Sequence, residues 1–206
     1  MKLLFLHIVK TGGTTANNAI ATVCRRRGYF VHVMDGEQAN DFGREQLELI
    51  ADAPGFDQYC HSHIGVFDRE LHDKFRARGW FTICFTRNPL DLLCSLYHST
   101  PEAQGQTLDA YLASTIKDPD TMWRIPEWHA EINYLRVFST GRLVSFLKTY
   151  MSETDPKVGH RNPSGSRGFA HHLATGDIKS ATTKKLIASP QSKLFSELAN
   201  AEQQQS

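Results

Sequence analysis

The sequence predicts an α/β fold: a doubly wound parallel sheet flanked by helices, followed by a mostly helical C-terminal half. Three observations carry this prediction. Leu3 to Ile8 is a continuous apolar run broken only by His7, and Trp80 to Thr86 is nearly as apolar. Such runs mark strands buried on both faces, as in a parallel sheet. Strand-like and helix-like segments then alternate over the first hundred residues, the pattern of right-handed βαβ units. The 206 residues make a single domain, with a core over 1–100 and a helical part over 101–206.

The first strand leads into the turn Lys10-Thr11-Gly12-Gly13, after which Thr14 or Thr15 is the expected N-cap of a helix. That helix runs through Ala16, Ile20 and Val23 to Arg25-Arg26-Arg27-Gly28, where basic residues suit the helix dipole and glycine ends the element. Tyr29 to Met34 reads as a second strand, and Asp41 caps a helix through Leu47 and Ile50. Asp57 to Cys60 is a short strand leading into His61-Ser62-His63, and Arg69 to Arg78 is an amphipathic helix. After Trp80–Thr86, Arg87-Asn88-Pro89 breaks the strand, and Pro89 opens a helix through Leu96. Beyond it, helices are expected at Thr107–Ile116, Glu127–Phe138, Thr140–Tyr150, Ile178–Ala188 and Gln191–Ala199. The basic stretch Ser152–Arg167, rich in Gly, Pro and Ser, reads as a long loop.

Composition narrows the functional classes. Hydrophobic residues at 40% and charged residues at 22% are globular values. Lys and Arg total 23 against 22 Asp and Glu, a net charge of +1, which gives no support to nucleic-acid binding through bulk charge. Cys24, Cys60, Cys84 and Cys94 form no CxxC pair, and with no signal-like or membrane-spanning apolar segment a cytoplasmic location is expected.

The richest chemistry lies in His7-Ile8-Val9-Lys10-Thr11-Gly12-Gly13-Thr14-Thr15. Two glycines let the backbone approach a ligand closely, and the following helix aims its positive end at the same place. Lys10 adds a cation, and Thr11, Thr14 and Thr15 add hydroxyls. The segment is not a Walker A sequence, because the lysine precedes the glycines. A plain strand–turn–helix connection is the bland alternative. The second segment is Thr86-Arg87-Asn88-Pro89, with Ser95 eight residues after the arginine and Tyr97 beyond. Arg87 stands at the carboxyl end of a strand, the edge where open α/β sheets bind ligands.

These two segments resemble the phosphate-binding elements of sulfotransferases that use 3′-phosphoadenosine 5′-phosphosulfate (PAPS). The first is similar to the H-x-P-K-T-G-G-T-[ST] form of the heparan sulfate 2-O- and 6-O-sulfotransferases and their bacterial relatives, with Val9 in place of proline. The second resembles R-[DN]-P followed by a serine and an aromatic, with Leu92 where many members carry a second arginine. Asn133-Tyr134-Leu135-Arg136 and Ser192–Leu198 resemble later landmarks more loosely.

The resemblance implies a P-loop-like sheet and a transferase that moves a sulfuryl group from PAPS to an acceptor hydroxyl, with carbohydrates among the acceptors. It assigns the 5′-phosphosulfate to Lys10, Thr11, Gly12, Gly13, Thr14 and Thr15, and the 3′-phosphate to Arg87 and Ser95. Lys10 would neutralise charge on the departing bridging oxygen. No metal is expected. Histidine is the usual general base near neutral pH, and Cys60-His61-Ser62-His63 resembles the family's H-x-H segment that supplies it, with His63 favoured over His61. An inert structural pair and a metal-binding pair stay open as readings of the same residues. The other eight histidines read as structural or surface groups. Trp123, Trp128, Tyr111 and Tyr134 are candidates for an acceptor pocket or for core packing. His160, Arg161 and Arg167 are candidates to close over the nucleotide or to remain solvated. The rival functions are a nucleotide phosphotransferase and a non-catalytic binder of PAPS or adenosine bisphosphate.

Overall fold

Five parallel strands order the chain. The computed structural model describes residues 1–34, 41–103, 105–115, 127–159, 172, 174–175, 185 and 188–203. The strands are β1 (Lys2–His7), β2 (Phe30–Val33), β3 (Gln58–His63), β4 (Trp80–Thr86) and β5 (Tyr134–Val137). Their order in the sheet is β2-β3-β1-β4-β5. From β1 at the centre the chain moves out to β2, returns beside β1 as β3, then crosses to the far side for β4 and β5. The register sets His7 beside His63 on one flank and beside Phe85 on the other.

The helices are α1 (Gly13–Arg26), α2 (Asp41–Asp52), α3 (Arg69–Ala77), α4 (Pro89–Ser99), α5 (Leu108–Thr115), α6 (Thr140–Met151) and α7 (Pro190–Gln203). Their ends have local causes. Asp68 caps α3 by accepting from the Leu71 N–H at 2.9 Å, Asn88 caps α4 through the Leu90 N–H at 2.9 Å, and Ser139 caps α6 through the Arg142 N–H at 3.1 Å. At the end of α1, Gly28 takes φ +76 and the Tyr29 N–H reaches back to the Cys24 carbonyl at 3.0 Å, a Schellman-type closure.

Three expectations need correction. Residues 127–138 are not a helix: Glu127–Glu131 is a single 3-10 turn, and Tyr134–Val137 is the fifth strand, with Ile83 beside Tyr134 in register. The aromatic and branched residues of this run pair with β4 instead of coiling. The strand at 57–60 extends through both histidines, to His63. The cap of α1 is neither Thr14 nor Thr15 but Gly12, and the helix begins at Gly13. All of the expected helix over 178–188 except residues 185 and 188, and the second half of the 152–167 loop, lie outside the described residues, as do Trp123, His160, Arg161 and Arg167.

The chain divides into two compact units, one of residues 1–86 and 126–161, the other of 87–125 and 162–206. The first holds the sheet. Its core joins Leu3, Phe5, Tyr59, Ile83 and Phe85 of the strands to Ala16, Ile20 and Cys24 of α1 and to Leu143, Phe146 and Leu147 of α6. In the second, Leu93 and Cys94 of α4 pack with Leu108, Tyr111 and Leu112 of α5. All four cysteines are free and buried, and burial pushes every thiol upward, that of Cys24 to about 12. No helix among the described residues is long and apolar enough to cross a membrane.

Candidate functional site

The turn after β1 is built by residues in left-handed conformations. Lys10 has φ +62 and Gly12 has φ +79. Thr11 between them is buried, and its hydroxyl donates to the Ile8 carbonyl at 2.7 Å. This corrects one expectation: the Thr11 hydroxyl proton is spent on closing the turn and is not offered to a ligand. Thr14 is exposed and Thr15 buried.

Gly12 gives α1 no side-chain cap, and the first turn holds no acidic residue. The Gly12 carbonyl accepts the Ala16 N–H at 3.0 Å, so intrahelical bonding starts only there. The first N–H groups of an α-helix lie ahead of its i−4 carbonyls, and with the helix dipole this makes the end of α1 attractive to an anion. Both glycines are required by close neighbours. A Cβ on Gly12 would stand 2.4 Å from Cε1 of Phe138, and one on Gly13 would stand 1.9 Å from Cδ2 and Nε2 of His7.

Three imidazoles gather at the same edge of the sheet. Because β3 is extended through both residues, His61 and His63 share a face, and the register adds His7 of β1 to it. Ring centroids lie 4.8 Å apart for His7 and His63, 5.3 Å for His7 and His61, and 6.2 Å for His61 and His63. Phe5 closes the inner side, 5.4 Å from His61.

Their environments differ. His61 is buried, and neither of its ring nitrogens has a hydrogen-bond partner. Burial, reinforced by the neighbouring His63, lowers its pKa to about 4. His7 is lowered to about 3 by burial first and by His61 and His63 second. Both are therefore neutral near pH 7. His63, the outermost of the pair on β3, is partly exposed. Of the two histidines named from the sequence, only His63 combines exposure with a place beside the turn. His7 was not singled out by sequence reasoning. Its signal was the pairing of two strand ends, which the order of residues does not contain.

Arg87 and Ser95 belong to the second unit. Arg87 precedes the Asn88 cap of α4, and Ser95 is the seventh residue of that helix, about 9 Å along its axis from Pro89. Ser95 is buried. The Arg87 charge acts on Cys94, next to Ser95, where it opposes the burial and the Asp91 charge that raise the thiol to about 12.

The aromatic candidates that are described are packing groups. Tyr134 belongs to the core of the first unit and Tyr111 to that of the second. Trp128 is buried and stacks on His72 at 4.2 Å. Among the described residues, one set of side chains brings metal-ligating atoms within 4.8 Å of one another: His72, Asp73 and Glu131. Arg69 and Arg76 already pair with both carboxylates, so positive charge occupies the place a cation would take. Compared with known proteins, the chain matches no family model, no curated protein and no solved structure.

Proposed function

We propose that the protein is a sulfotransferase on a P-loop-like sheet, moving the sulfuryl group of PAPS to an acceptor hydroxyl. One observation carries this reading most strongly. The parallel register of β1 and β3 sets the H-x-H pair at the same edge as an uncapped glycine turn, with His63 partly exposed there. An anion-binding backbone and a candidate base thus adjoin one another, as transfer from an anionic donor to a neutral hydroxyl requires.

In this reading, the backbone N–H groups at the start of α1 hold the phosphosulfate of the donor. His63 takes the proton of the acceptor hydroxyl as its oxygen attacks sulfur. The bond from sulfur to the bridging oxygen breaks on the opposite side, and adenosine 3′,5′-bisphosphate leaves. Lys10 neutralises the charge that appears on that oxygen. Arg87 and Ser95 are assigned the 3′-phosphate, the group that separates PAPS from ATP. The carboxyl ends of β1, β3 and β4 are His7, His63 and Thr86, none of which is the carboxylate that phosphoryl transfer uses to hold Mg²⁺. That favours sulfuryl over phosphoryl transfer.

Calorimetry tests the assignment. Adenosine 3′,5′-bisphosphate is expected to bind at least about tenfold more tightly than AMP without added Mg²⁺, given the value of charge-assisted hydrogen bonds. Equal affinity for the two nucleotides would remove the 3′-phosphate site. Tight binding without turnover in a screen of hydroxyl acceptors with labelled PAPS would make the protein a non-catalytic binder.

A further inference from the structure

His7 lies between the two parts of the proposed site and touches both. On one side its ring covers Gly13 so closely that a methyl group there would meet Cδ2 and Nε2 at 1.9 Å. On the other side its centroid is 4.8 Å from that of His63, with the rings inclined at 31°. It has little freedom to move elsewhere. Phe5 and His61 stand at 6.1 Å and 5.3 Å, and the register fixes its backbone beside that of His63.

The ring earns no hydrogen bond through its inner edge. Its Nδ1 is enclosed without a partner, an arrangement that an apolar side chain would avoid. Packing of the core alone does not explain an imidazole here. Its shape does: a small, flat ring fills the gap between a helix start lacking a side chain and a second imidazole.

We propose that His7 is a positioning residue, a spacer whose ring sets the distance between the glycine turn and the His63 imidazole. This rests on the proposed function for its catalytic meaning, but its structural part does not. The role also explains residue 13. Glycine is required there because the spacer occupies the room of a Cβ, and not because of the backbone angle, since Gly13 is already helical.

The test joins turnover with a spectroscopic readout at His63. His7→Ala is expected to lower kcat about 10²-fold, the scale of a misplaced reacting group, while the Kd for adenosine 3′,5′-bisphosphate stays within about threefold of the parent value. In imidazole-resolved NMR spectra the His63 ring signals shift, because the neighbouring ring is gone. Gly13→Ala alone is expected to shift the same His63 signals by displacing His7, and that effect is expected to vanish in the Gly13→Ala/His7→Ala double variant. Should His7→Ala not fold, His7→Asn replaces it with the same expectations.

Unchanged His63 signals in His7→Ala, or a Gly13→Ala effect that persists without His7, would overturn the spacer. A kcat loss matched by an equal loss of bisphosphate affinity would also overturn it, leaving only a damaged turn. Failure of the parent protein to bind the bisphosphate sinks the sulfotransferase reading instead, and the NMR cycle still decides the spacer.

Discussion

Lys10 holds a backbone conformation that L-residues rarely adopt, at φ +62. A left-handed lysine costs about 1–2 kcal/mol relative to its ordinary conformations, a cost that glycine escapes. Glycine in turn adds about 0.5–1 kcal/mol of unfolded-chain entropy. The balance predicts that Lys10→Gly unfolds at the same urea concentration as the parent or slightly higher, whereas Lys10→Ala keeps the strain. If the proposed sulfuryl transfer takes place, both variants are expected to lose it, since both lose the amine. Urea unfolding followed by circular dichroism, alongside a transfer assay, separates the two effects. Retained turnover in Lys10→Gly would remove the amine from the mechanism and leave residue 10 as a turn former.

Helices α3, α4 and α6 are held at their starts by short polar side chains. Asn88, part of the R-N-P segment that resembles a nucleotide-binding element, spends its side-chain oxygen on the Leu90 N–H. Asn88→Ala is expected to cost about 1 kcal/mol of stability through loss of this cap, measurable as a lower urea midpoint. A midpoint equal to that of the parent would show that the Pro89 start suffices. Asn133 does similar work in the sheet: its side-chain oxygen accepts the Thr82 N–H at 2.7 Å, a β4 donor one residue before the ladder with β5 begins. Such roles mark the limit of what the sequence discloses. Strands β1 and β4, the bends around Gly12 and Pro89, and most helix spans follow from apolar runs and capping residues. Strand β5 did not, because Trp128, Ile132 and Leu135 fall at helical spacing and all three are buried. Their burial comes from a 3-10 turn followed by a strand, and local periodicity cannot distinguish that from one helix. The H-x-H pair was legible as chemistry. Its neighbour His7 was not, because only strand pairing brings residues 7 and 63 together.

The whole molecule carries several histidines kept neutral by burial. His7, His32, His61 and His72 all titrate below the ordinary range, chiefly because burial disfavours the charged ring. The unfolded chain takes up protons at these positions near pH 6.5, while the folded chain resists until the pH is lower. Below about 6.5 the unfolded state therefore binds more protons, and stability falls as pH falls. The expected result is a urea midpoint that drops steadily from pH 7.5 to pH 5. Asp68 and Asp52, held low by backbone and ion-pair partners, add a second loss only below about pH 4. A flat midpoint between pH 7 and pH 5 would contradict the burial of these rings. The four thiols carry a practical consequence of the same enclosure. Each is shut inside the protein with its ionisation suppressed, so thiol-directed reagents find little nucleophile on the native chain. A cysteine introduced on the surface would then be labelled selectively, and a fluorophore placed on it could report ligand binding without first stripping the natural sulfhydryls.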